Sequence, residues 1–143
     1  MKDNASIRTL RLLLLLGAIG WGIPVILLFF PKFLTLDILA AKGLKNAIID
    51  PMIYYWLIMA FATWGIIGFL FLMSALHIKR YFNIIPLLAV GSLFQGGVLG
   101  VAGFLIKISI NLFVWDVLFC LLLGGTILFS YIKSKKEIGM IIT

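Results

Sequence analysis

Four long apolar runs divide this chain, and its charged residues gather almost entirely between them. The runs cover residues 10–30, 52–76, 84–106 and 112–132, each close to the roughly 20 residues that carry a helix across a bilayer. Three of the connections are short or of moderate length, and a chain that crosses four times with such connections alternates direction. The pattern predicts an all-α integral membrane protein with four transmembrane helices in an antiparallel up-down bundle, folded as a single membrane domain over residues 1–143.

Within the third run, Ala89, Ser92, Gly96, Gly100 and Gly103 follow one another at steps of three or four residues. On a helix they form one stripe almost free of side chains. Close backbone approach holds helices together in lipid, so this stripe is the expected packing surface. Whether its partner lies in the same chain or in another copy is open at this point. Gln95 lies beside the stripe near the middle of its run. An amide at that depth needs partners, and Thr63, Trp64 and Thr126 fall at matching depth in other runs. Gln95 is therefore either a polar clasp between helices or a contact for a ligand entering beside the glycines.

The first run opens on Leu12 to Leu16 and continues to Phe30. Ala18-Ile19-Gly20 offers the small residues of a signal-peptide cleavage site, but the apolar run passes straight through it, which favours a retained span. Gly17, Gly20 and Gly22 thin one side, and Pro24 is expected to kink the helix. The connection 33–50 mixes Leu36, Leu39, Ala40 and Leu44 with Asp37, Lys42 and Lys45, as an amphipathic piece on the outer surface would; a lid over the bundle is the alternative. Asp50 and Pro51 supply an N-cap and a first helical residue for the second span. Tyr54, Tyr55 and Trp56 then sit where an interface belongs. That span ends in His77-Ile78-Lys79-Arg80-Tyr81, where contact with anionic headgroups explains the cations.

Composition narrows the function more than it defines it. Hydrophobic residues make up 64% of the 143 and charged residues only 12%, which excludes an ordinary soluble domain. The net charge of +7 is spread over helix ends, without the basic stripe of a nucleic-acid surface, so no nucleic-acid partner is expected. Placing both termini in the cytoplasm puts Lys2, Arg8, Arg11, Lys79, Arg80, Lys133, Lys135 and Lys136 inside and Lys32, Lys42, Lys45 and Lys107 outside. That distribution follows the positive-inside rule and predicts a multi-pass protein of the plasma or inner membrane. Cys120 is the only cysteine, so a paired-thiol redox relay is excluded.

Catalytic templates fail on inventory. His77 is the only histidine, so neither a zinc protease nor a histidine-based metal cluster is expected. Gly96-Gly97 lacks the Lys-Ser or Lys-Thr of a phosphate loop. No cofactor is expected. Asp116 is the one carboxylate inside a span, near its outer end, where it must be paired or solvated. Lys107 across the short turn is the obvious ion-pair partner, and Asn111 a candidate cap. An outward polar pocket of Asp116, Lys107, Asp50 and Tyr54 is the functional alternative.

The run Asp50-Pro51-Met52-Ile53-Tyr54-Tyr55-Trp56-Leu57-Ile58-Met59-Ala60 resembles the BphX-like family of small bacterial membrane proteins. So do Gly65-Ile66-Ile67-Gly68, Arg80-Tyr81-Phe82-Asn83-Ile84-Ile85-Pro86-Leu87, Gln95-Gly96-Gly97-Val98, Asp116-Val117-Leu118-Phe119-Cys120 and, in the first span, Gly20-Trp21-Gly22. The resemblance implies a four-span membrane protein without assigned function, sometimes encoded beside aromatic-degradation genes. It supplies no catalytic residue. The family more often carries an acid at the position of Gln95, and the neutral amide here argues against proton coupling at that point. Residues and resemblance together predict a non-enzymatic membrane protein that binds a lipid, a hydrophobic small molecule or a partner within the bilayer, with a homo-oligomer among the partners. A small-solute transporter is the main alternative.

Overall fold

A computed structural model describes residues 5–29, 51–107 and 109–142. The described chain is all α-helical apart from a 3₁₀ segment and turns, and no strand occurs among the described residues. Helix α1 spans Ala5–Gly22 and passes into a 3₁₀ segment, Ile23–Phe29. Then come α2, Pro51–Leu76, a single turn α3, Ile78–Tyr81, α4, Ile85–Leu105, and α5, Ile110–Ile142. Four stretches are long and apolar enough to cross a membrane: Ala5–Ile26, Tyr55–Leu76, Ile85–Leu105 and Phe113–Lys136. The protein is thus a four-span, all-α membrane protein. Only 22% to 28% of the apolar window in each span is buried within the described chain.

The local chemistry of each element is visible in its ends. Pro24 lacks a backbone donor and crowds the preceding turn, and the α-winding stops at Gly22. The expected kink is therefore a change of helix type. Pro51 opens α2, and Pro86 lies in the first turn of α4, both places where a missing N–H costs little. At the far end of α4, Lys107 adopts a left-handed conformation (φ 57°) and donates its N–H to the Phe104 carbonyl, while Ile106 donates to Ala102. This is the usual left-handed stop of a helix, made here without glycine. Ser109 precedes the first residue of α5 and so holds the N-cap position; Asn111 falls inside the first turn.

Helix α5 is longer than its apolar run. It continues unbroken through Lys133-Ser134-Lys135-Lys136 to Ile142, 33 residues or about 50 Å at 1.5 Å per residue. The basic stretch is therefore helical. Lysine and glutamate are good helix formers, and nothing before Gly139 interrupts them.

Contacts divide the chain into two compact units, one formed by residues 1–16 and 71–143 and the other by residues 17–70. In the first, α4 and α5 are antiparallel and in contact along their length. Gly103 faces the Phe113 ring, Gly100 faces Val117, Gly96 faces Cys120 and Leu121, and Gly124 faces the backbone of Ala89 and Leu93. As α4 is followed backwards, α5 advances in step. The small-residue stripe read from the sequence is this seam, so it packs within one chain. Ala89, Ser92, Gly96 and Gly103 are all buried in it. The Ser92 hydroxyl donates to the Leu88 carbonyl at 3.0 Å. Phe82 stacks on Tyr131 at 4.6 Å and closes the same pairing at its other end.

In the second unit the tightest contact joins α1 to α2. A Cβ at Gly68 would fall 2.6 Å from the backbone nitrogen of Gly22 and 3.1 Å from the Ala18 carbonyl oxygen. Gly65 receives the Val25 side chain from the 3₁₀ segment. Glycine removes the Cβ that would otherwise hold the helices apart, so backbone meets backbone here.

Candidate functional site: the mid-depth polar residues and the two ends

Gln95 lies at the midpoint of α4, half-buried, one residue before the seam glycine Gly96. Helical geometry places it on the flank shared with Leu88 and Leu99, turned away from the α5 contact. Among the described residues its amide makes no hydrogen bond. The hydroxyls expected at its depth are engaged locally. Thr63 donates to the Met59 carbonyl at 2.8 Å, and Thr126 donates to the carbonyls of Leu122 (2.7 Å) and Leu123 (3.1 Å). Both threonines are exposed. Trp64 leans on Phe61 within α2, with ring centroids 5.9 Å apart. Thr63 and Trp64 belong to the second unit and Gln95 and Thr126 to the first, and both threonine hydroxyls are engaged within their own helices.

Asp116 lies two turns into α5, exposed. Lys107 is also exposed, and no salt bridge links the two among the described residues. The ion pair expected from the sequence is therefore not formed among the described residues, and Asp116 stands exposed beyond the first turn of its helix. Trp115 beside it is one of the most exposed large side chains, at 73%, as an interfacial tryptophan would be. Tyr54 sits in the first turn of α2, where Tyr55 and Trp56 make an edge-on pair at 5.9 Å. Asp50 and the amphipathic connection 33–50 lie outside the described residues. The outward pocket is thus represented here by Asp116 and Lys107 alone.

Two buried polar groups escaped the sequence reading, the Ser134 hydroxyl and the Trp21 indole, each without a hydrogen-bond partner among the described residues. Trp21 is 8% exposed, and its indole N–H is buried without a hydrogen-bond partner among the described residues. The signal was present in the chain. Leu10, Leu14, Gly17 and Trp21 form the buried stripe of α1 at steps of three and four, and an indole on that stripe brings its N–H inside.

Among the described residues no group of three or more histidine, cysteine or acidic side chains is close enough to hold a metal ion. Cys120 is buried against Gly96 in the seam. Compared with known proteins, the chain matches no family model, no curated protein and no solved structure.

Proposed function

We propose that this chain is a non-enzymatic multi-pass protein of the cell membrane that holds a lipid or a hydrophobic small molecule against α4, with Gln95 as the polar contact. The observation that carries the reading is the Gln95 amide, at mid-depth in a span, half-buried and without a hydrogen bond among the described residues. An amide in hydrocarbon gains about 0.5–2 kcal/mol from a partner. A carbonyl or hydroxyl on an otherwise apolar molecule answers that need while its body lies along the exposed α4 surface of Val98 and Val101. Both termini are placed in the cytoplasm by the lysine and arginine distribution. Membership of the BphX-like family is part of the proposal and rests on the quoted motifs.

Native mass spectrometry of the protein released from lipid, wild type beside Gln95→Leu, tests this. A small molecule retained by the wild type and lost by the variant supports the binding role. Dissociation of an oligomer in the variant, with no molecule retained by either, replaces it with a contact between copies. A transporter reading rests on Asp116, the exposed carboxylate inside the fourth span. It requires pH-driven solute flux that disappears in Asp116→Asn.

A further inference from the structure

The corner between α2 and α4 is built tightly for so short a stretch. The His77 carbonyl accepts N–H bonds from Arg80 (3.0 Å) and Tyr81 (3.1 Å), and the Tyr81 carbonyl accepts from Ile84 (2.9 Å). Ile78 is buried and anchors the turn, which leaves its neighbours Lys79 and Arg80 facing outward and exposed. The Arg80 guanidinium lies 5.8 Å from the Tyr81 ring centroid, and His77 meets the same ring edge-on. This corner is therefore held in shape by its backbone and its rings.

Helix α5 brings a second set of cations to the same place. Tyr131 stacks on Phe82, the residue that follows α3, and fixes the last part of α5 to the corner. Lys133, Lys135 and Lys136 follow within the next turn and a half, all exposed. Ser134 between them is completely buried, so one face of this part of the helix is packed. Lys79, Arg80, Lys133, Lys135 and Lys136 thus gather at one end, with Glu137 as the one acid in these two stretches. Asp116 lies at the other end of α5.

Cations brought to one end of a bundle attract an anion that comes within a Debye length, about 8 Å at physiological salt. The surroundings choose the kind of anion. Leu76 at the end of α2, Leu87 in the first turn of α4 and Ile132 beside Lys133 on α5 are exposed and apolar. A molecule with a phosphate at one end and acyl chains at the other matches both surfaces at once. We propose that the α2–α4 corner and the end of α5 form one binding site for the headgroup of an anionic phospholipid. Arg80, Lys79 and Lys133 face the phosphate, and the apolar residues beneath carry its chains.

The test uses the full chain purified in detergent, where membrane orientation plays no part, with phosphatidylglycerol or phosphatidylcholine added in matched amounts. Lipid retained in native mass spectrometry is compared for the wild type, Lys79→Gln/Arg80→Gln, Lys133→Gln/Lys135→Gln and, as a control at the other end, Lys107→Gln. Helical content is checked by circular dichroism, and two independent double variants guard against one failing to fold. The proposal expects the wild type to prefer phosphatidylglycerol. It expects each double variant to lose at least about tenfold in that preference, because each cation near an anionic headgroup contributes several-fold. Lys107→Gln should keep the preference, and excess inorganic phosphate should not displace the lipid. Equal retention of both lipids by the wild type, an equal loss in Lys107→Gln, or displacement by inorganic phosphate would each overturn the site.

Discussion

Gly124 and Gly125 are neighbours on one helix and differ in what surrounds them, which makes them a sharp test of the α4–α5 seam. A Cβ at Gly124 would lie 2.6 Å from the Ala89 carbonyl oxygen, 2.8 Å from the Leu93 Cγ and 3.0 Å from the Leu93 nitrogen. Two of those three atoms are α4 backbone, which no rotamer change can move aside. Gly124→Ala must therefore open the seam locally by about 0.8 Å to reach ordinary contact, and a gap of that size forfeits a quarter to a half of each van der Waals contact across it. Overpacking of this kind costs about 1–3 kcal/mol. Alanine returns about 0.5–1 kcal/mol through its better helix propensity. The net expectation is about 0–2.5 kcal/mol of destabilisation. At Gly125 nothing lies within 4 Å of the added carbon, so Gly125→Ala keeps only the favourable part. Equilibrium unfolding of both variants in mixed micelles, titrated with a denaturing detergent and followed by helicity, compares them directly. The chemistry of the change is identical, so the difference of about 1–3 kcal/mol isolates the contact. If Gly124→Ala is as stable as Gly125→Ala, the seam does not have this geometry.

The same assay checks two further positions. Lys107 holds a left-handed backbone that costs a residue with a Cβ about 1 kcal/mol, so Lys107→Gly should stabilise by up to that amount. Lys107→Asn should change little and Lys107→Val should destabilise; equal stability of the three would refute the assigned conformation. In the other unit, Gly68→Ala drives a carbon into the Gly22 backbone, whereas Gly22→Ala meets nothing within 4 Å. Gly68→Ala should lose about 1–3 kcal/mol and Gly22→Ala should lose little, and the reverse order would be incompatible with the α1–α2 contact.

The number and class of the helices were legible in the sequence because crossing a bilayer demands length and apolarity, and both are readable one residue at a time. Which face of each helix is buried was harder. Leu12 to Leu16 are all apolar, yet Leu14 is buried while Leu12 and Leu16 are exposed, and hydrophobicity cannot separate them in lipid. Small residues in register could: Ala89, Ser92, Gly96 and Gly103 mark the α5-facing side of α4. Smallness alone could not, since Gly91, Gly97 and Gly125 lie off that register and are exposed. The polar residues were least legible. A threonine in a helix always has the carbonyl four residues back within reach, and Thr63 and Thr126 both take it. Matching their depth to Gln95 therefore said nothing about where their hydroxyls would point. The left-handed turn at Lys107 was hidden for a similar reason, because neither glycine nor asparagine stands there to announce it.

The seven 3₁₀ residues after Gly22 alter both the reach and the phase of the first span. Against continued α-winding, that segment extends the chain by about 3.5 Å and turns it by about a further 140° by its end. Val25, which meets Gly65, lies within that rotated segment. Pro24 thus acts at a distance from itself, as a phase shifter that decides which apolar side chains of the first span face α2 and which face lipid. A sequence alignment of first spans that ignored this offset would compare the wrong faces beyond Gly22.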